Sequence, residues 1–135
     1  MPFSLKVVVA QDDIDWLGHV SNLAYLRWVQ DAARAHSTAC GLADADYLSR
    51  GQSFVVRKHE IEYLRPAFAG DELTLETRVA TMGAASSLRR TRVLRGEEVL
   101  VRAATDWAYI DIARGRVVRI PEEIKARFPL EPDPP

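Results

Sequence analysis

The residues best equipped for chemistry crowd into one stretch, Gln11 to Arg34, which reads QDDIDWLGHVSNLAYLRWVQDAAR. Three carboxylates (Asp12, Asp13 and Asp15) and one imidazole (His19) stand just before a run with helical spacing. Ser21 or Asn22 can cap the start of that helix. A helix start offers backbone N–H groups without an intrahelical acceptor, at the positive end of the macrodipole. A carboxylate on the loop entering it can act as nucleophile or general base while those N–H groups stabilise a developing oxyanion. The same carboxylate can also do no more than cap a turn or the helix, and residue type alone favours that plainer role. His19 is a second acid–base candidate, an orienting hydrogen-bond donor or a structural residue. The Asp-x-Asp pair does not read as a metal site, because Trp16 and Leu17 follow where a calcium loop needs further oxygen ligands.

The elements that must hold these groups follow from periodicity. Residues 5–10 read as a short strand and residues 11–21, with Gly18, as a loop. Leu23, Leu26, Val29, Ala33 and Ala39 recur at helical intervals, and Gly41 can end the helix in a left-handed conformation. Residues 42–51 have room for one short helical turn. From Phe54 onward the period becomes two, with strands through Tyr63, over Leu73–Val79, Ser86–Leu94 and Val99–Ile110, and a last short strand over Arg116–Ile120. Gly70-Asp71, Gly83 and Gly96-Glu97 mark the turns between them. Pro121-Glu122-Glu123 opens a final helical turn. The expected class is α+β, one long helix packed on an antiparallel sheet of about five or six strands. Residues 1–127 are expected to form a single domain. The prolines at 129, 132, 134 and 135 lead us to expect an extended or loose tail over 128–135.

Composition narrows the function classes. The 135 residues carry a net charge of −1, which gives no electrostatic footprint for nucleic acid. The single cysteine, Cys40, excludes an intrachain disulfide and suits a reducing compartment. No apolar run approaches the roughly 20 residues of a membrane span, and the N-terminal residues read as a strand rather than a signal peptide. A cytoplasmic location without membrane contact is the expectation.

Two blocks of sequence resemble one family. Asp13, Asp15, Gly18, His19, Val20, Asn22, Tyr25 and Leu26 match the signature of the 4-hydroxybenzoyl-CoA thioesterase-like branch of the hotdog superfamily. Arg34 falls where such proteins often carry an Ala-Arg pair. Downstream, Ile61-Glu62-Tyr63-Leu64-Arg65-Pro66-Ala67 and then Gly70-Asp71-Glu72-Leu73 resemble the family's turn and following strand. The resemblance implies a helix wrapped by a curved antiparallel sheet, dimers or tetramers, and active sites at the dimer interface. It implies acyl-CoA thioester hydrolysis without a cofactor. Asp15 maps to the catalytic carboxylate, and Asn22 to the residue whose backbone N–H polarises the thioester carbonyl. His19, Val20, Ser21, Tyr25 and Arg65 are the expected substrate-binding residues. Direct attack by Asp15 and activation of a water both remain open.

Other residues are weighed against plainer roles. Trp16, Tyr25 and Trp28 can line an acyl pocket or pack in the core. Asp12 and Asp13 read as solvated loop residues, and His36 and His59 as structural or surface residues. Asp31 is a reserve carboxylate on the helix. Arg65, Arg89, Arg90 and Arg92 can contact coenzyme A phosphates, but each reads better singly as part of a solvated strand face. The turn before the fourth strand, Met82 to Ser87, carries no charge, so an acyl carrier protein stands beside coenzyme A as the expected carrier. A hotdog hydratase or dehydratase and a non-catalytic acyl-CoA-binding domain are the competing functions.

Overall fold

The computed structural model describes residues 2–134. Strand β1 (Phe3–Val8) leads through a 3-10 turn at Gln11–Asp13 into the long helix α1 (Asn22–Ala39). A seven-residue helix, α2 (Asp44–Arg50), fills the stretch expected to hold one turn. Then come β2 (Gln52–Tyr63), β3 (Glu72–Met82), β4 (Ser86–Arg95), β5 (Glu98–Asp111), the two-residue β6 (Arg116–Val117) and α3 (Glu122–Lys125). The strands form one antiparallel sheet in the order β1-β3-β4-β5-β2, with β6 paired to the end of β5. Strands β3, β4 and β5 are a meander, and β1 and β2 flank it.

Helix α1 begins where the sequence indicates. The Ser21 hydroxyl accepts from the Ala24 amide at 3.2 Å, satisfying one donor of the first turn. Cys40 closes the helix, and Gly41 follows at φ +89°, a conformation that favours glycine. The buried face differs from the expected stripe. Ala24, Tyr25, Trp28, Val29, Ala32, Ala33, His36 and Ser37 face the sheet, while Leu23 is 76% exposed. The rings of Tyr25 and Trp28 bury more apolar area than Leu23 would, and they meet edge-on at 5.4 Å. They set the rotation of the helix.

Two apolar clusters line the helix-bearing side of the sheet. One surrounds the first half of α1 with Val9, Val20, Tyr25, Trp28, Leu73, Leu75, Leu100 and Val101. The other gathers Leu42, Tyr47, Val79, Tyr109, Ile120, Ile124 and Phe128. Between them the helix-facing side of the sheet carries a seam of buried polar groups: Thr77, Thr91, Arg89 and Thr105. The Thr77 and Thr91 hydroxyls bond across the strands at 3.1 Å, and Thr105 meets Nδ1 of His59 at 2.9 Å. The opposite side of the sheet is charged, with Glu76 bonded to Arg92 and Asp106 to Arg57.

Residues 128–134 stay out of helix and ladder, in keeping with their prolines, but they are tied down; residue 135 of the expected tail lies outside the described residues. Phe128 joins the second cluster at 5% exposure. Leu130 forms an isolated bridge with Val79, and the Glu131 amide donates to the Val79 carbonyl at 2.8 Å. Arg78 and Arg90 both bond Asp133 and hold its carboxyl down at about 2.

Candidate functional site

The loop from Asp13 to Ser21 closes on itself as a small hairpin. The Ser21 amide donates to the Asp13 carbonyl at 2.8 Å, Ile14 bridges Val20, and the Asp15 amide donates to the His19 carbonyl at 2.9 Å. Gly18, at φ +87°, supplies the reversal. A further bond from the Val20 amide to the Ala67 carbonyl, at 2.9 Å, anchors the hairpin to the turn before β3. Asp15 thereby stands opposite His19, two residues out along the hairpin from the Asp13–Ser21 pairing that precedes α1.

Asp13 is not a solvated loop residue. It is buried at 9% exposure, and its two oxygens are used separately. One accepts from Nη2 of Arg27 at 2.6 Å and the other from the Ala10 amide at 2.9 Å. Arg27 lies 14 residues further on, one turn into α1, so this ion pair ties the loop to the helix. The sequence offered no local sign of that partner.

The Asp15 side chain is a quarter exposed. Its Oδ1 accepts from the Leu17 amide at 2.9 Å, leaving Oδ2 available to a reactant or a water. His19 places Nδ1 3.8 Å from Asp15 Oδ1 and 3.2 Å from the Val20 carbonyl. Both neighbours are acceptors, so Nδ1 is assigned the ring proton in the neutral form and Nε2 is the free acceptor. Asn22 and Leu23 open the helix, and their amides precede any carbonyl the helix can offer them. Around this point Trp16 (89% exposed), Leu17 and Leu23 present bare apolar surface.

The remaining expected residues divide. Val20 and Tyr25 are core residues at the base of the loop, and Tyr25 packs on Tyr63 at 5.6 Å. Burial raises the Tyr25 phenol above its ordinary value. Ser21 is engaged as the helix cap. Arg65 is exposed beyond the end of β2 and pairs with Glu98 at 3.2 Å. Trp28 is core. Asp31 is exposed nine residues after Asn22, which puts it about 13 Å along the helix axis from the first turn. Arg90 and Arg92 lie on the charged outer face, held by Asp133 and Glu76. Arg89 does not share their solvated surroundings. Period two turns it inward, where it is 6% exposed.

A long helix laid against an antiparallel sheet of order β1-β3-β4-β5-β2, with a loop carboxylate at the helix start, defines the hotdog class. The chain belongs to the thioesterase-like superfamily, whose family model it matches over residues 9–128. It is 30% identical over 127 residues to the acyl-CoA thioesterase YbgC of Haemophilus influenzae, covering 93% of each chain. Among solved structures, a probable thioesterase from Bartonella henselae superposes with a TM-score of 0.84 at 28% identity, covering 90% of this chain and all of that one. The 1,4-dihydroxy-2-naphthoyl-CoA thioesterase Slr0204 from Synechocystis reaches a TM-score of 0.85 at 19% identity, over 94% of this chain and 95% of that one. At that identity the likeness concerns the fold alone.

Proposed function

We propose that this protein is an acyl-CoA thioesterase that hydrolyses an acyl or aroyl thioester to the free acid and thiol, with Asp15 as its working carboxylate. The observation that carries the reading is the hairpin immediately before α1, which fixes Asp15 opposite His19 with, among the described residues, no hydrogen-bond partner on its Oδ2. The likeness to the Haemophilus acyl-CoA thioesterase supports the substrate class. In this reading the Asn22 amide donates to the thioester oxygen. Negative charge growing there in the tetrahedral intermediate is met by a fixed N–H and the helix dipole, which need no reorganisation. Asp15 attacks the carbonyl carbon, or takes a proton from the water that does. The thiolate then leaves and is protonated from solvent, and on the direct route a water hydrolyses the remaining acyl-aspartyl anhydride to free acid and Asp15 carboxylate. His19 shapes the pocket and keeps Asp15 oriented, and Ser21, Val20 and Tyr25 hold the loop and its floor. The bare surface of Trp16, Leu17 and Leu23 suits cover by the acyl group or by a second copy of the chain, so a homodimer or a larger homo-oligomer belongs to the same proposal. Arg65, at the surface, is offered to the carrier's phosphate.

The test is thiol release from a panel of short, long and aromatic acyl-CoAs, comparing wild type with Asp15→Asn. Loss of at least about 100-fold in kcat/KM, with an unchanged circular dichroism spectrum, is expected for a catalytic carboxylate. Equal turnover in the two proteins would remove Asp15 from the reaction. A single turnover in oxygen-18 water separates the two routes, since label enters the Asp15 carboxylate only on direct attack.

A further inference from the structure

Arg89 is a buried cation that forms no ion pair among the described residues. Its Nη1 bonds Nδ1 of His36 at 2.9 Å and Oγ1 of Thr77 at 3.2 Å. Both acceptors are neutral at pH 7, because burial and the guanidinium itself push His36 down to about 4. Arg89 is lowered to about 10 by burial, so it keeps its charge at pH 7. Among the described residues no carboxylate lies within salt-bridge distance of it. Of the other ionisable groups around it, Cys40 and Tyr47 are neutral at pH 7 and Glu131 acts on His36. Asp44 lines the same cavity as Arg89 and is paired with Arg34. An uncompensated buried charge is costly and is ordinarily relieved by a partner.

The guanidinium lines a cavity of about 240 Å³ beneath the second half of α1. Ala33, Ser37, Tyr47, Phe54, Trp107 and Phe128 line it, together with the paired Arg34 and Asp44. Trp107 stands opposite Ser87 in the β4–β5 ladder, one row from Arg89 on the same face of the sheet. Its indole N–H is buried and has no hydrogen-bond partner among the described residues. The Arg89 guanidinium and a largely apolar wall therefore meet in one half-open space. At the roughly 30 Å³ that one water occupies in the liquid, the cavity holds about eight heavy atoms.

We propose that this cavity binds a small organic carboxylate with an apolar body, its carboxylate held by Arg89 and its body packed against Trp107, Phe54 and Phe128. A planar fork of donors matches a carboxylate, and hexanoate or benzoate is of the right size. Within one chain, Ala33 and Ser37 lie 11 and 15 residues past Asn22, so the cavity is roughly 16–22 Å along the helix from the Asp15 loop. The ligand is thus either a free acid or the far carboxylate of an acyl group entering across a chain boundary. The second source rests on the thioesterase reading and the first does not.

Binding is measured first, by calorimetry and by tryptophan emission, with hexanoate, benzoate and uncharged hexanamide. Saturable binding of a carboxylate is expected, with hexanamide and the Arg89→Met variant each at least 10-fold weaker. Arg89→Met keeps the volume and removes an unpaired buried charge, so it is expected to fold. Ala33→Leu, which fills the cavity from the helix side, is a second variant expected to block binding while leaving Arg89 in place. The proposal is overturned if no carboxylate binds up to about 10 mM, if hexanamide binds as well as hexanoate, or if binding survives in both variants. Hydrolysis of adipoyl-CoA against hexanoyl-CoA then separates the sources. A fall in that selectivity in Arg89→Met indicates the acyl terminus, and an unchanged selectivity with lost hexanoate binding indicates a free acid. Absence of any hydrolysis would sink the thioesterase reading and leave the binding result standing.

Discussion

His36 makes the fold sensitive to mild acid. It is buried on α1, stacked on Phe3 at 5.1 Å and in edge contact with Phe128, and it accepts a hydrogen bond from Arg89. Burial first and the Arg89 charge second lower its pKa from 6.5 to about 4, with Glu131 pulling the other way. The unfolded chain therefore binds a proton in the window between 4 and 6.5 that the folded chain refuses. Stability from this group is intact above pH 6.5, declines as pH falls through the window, and is fully lost below pH 4. A shift of about 2.5 units corresponds to about 3 kcal/mol at the acid end. Between pH 7.5 and pH 5 the expected loss is about 2 kcal/mol. Urea unfolding at pH 7.5, 6 and 5 measures it, with His36→Gln as the reference, because a glutamine oxygen can still accept from Arg89 but takes no proton. Wild type should lose about 2 kcal/mol more than the variant over that range. Parallel stability curves for the two proteins, or an NMR titration placing His36 near 6.5, would refute the reasoning.

Further predictions follow from particular contacts. Asp13→Asn should leave Arg27 without its anion and weaken the bond to Ala10, lowering stability by about 1–3 kcal/mol in chemical unfolding. If Asp15 alone carries the reaction, that variant should retain turnover once folded, unlike Asp15→Asn. Ser21→Ala removes the cap on the Ala24 amide and should cost about 1 kcal/mol. Phe128→Ala empties part of the second cluster and should cost about 3–5 kcal/mol. A loss below 1 kcal/mol would mean that the region after α3 is not held as described.

Much of the architecture could be read along the chain because local chemistry decides it. Ser21 and Gly41 bracket α1, and Gly96-Glu97 joins β4 to β5 within two residues. Strand boundaries were less legible. β1 runs from Phe3 to Val8 rather than over 5–10, because its length is set by pairing with Glu72–Thr77, some 70 residues away. The last strand shrinks to Arg116–Val117, since Val118 and Ile120 turn their amides to the carbonyls of Tyr109 and Ala84 outside any ladder. The site loop was legible as a motif, but the tie between Asp13 and Arg27 was not, because three neighbouring aspartates look alike until one is given a partner. Arg89 was hidden for another reason. Both faces of β4 mix arginine with apolar residues, so alternation alone could not say which faced inward. The prolines account for the irregular backbone of residues 129–134, but they said nothing of where Phe128 would pack.

The polar seam across the sheet has a consequence for how the strands find one another. Apolar rows are forgiving: moving β3 along β4 by two residues keeps every side chain on its own face and replaces one aliphatic contact with another. The seam removes that tolerance. With Thr77 slid away from Thr91, both hydroxyls would be buried without each other, and Arg89 would lose Thr77 as well. Each orphaned group would cost about 1–3 kcal/mol, a large share of the margin by which a small domain is folded at all. The threonines thus act as an alignment key, admitting one register of the meander and rejecting its neighbours.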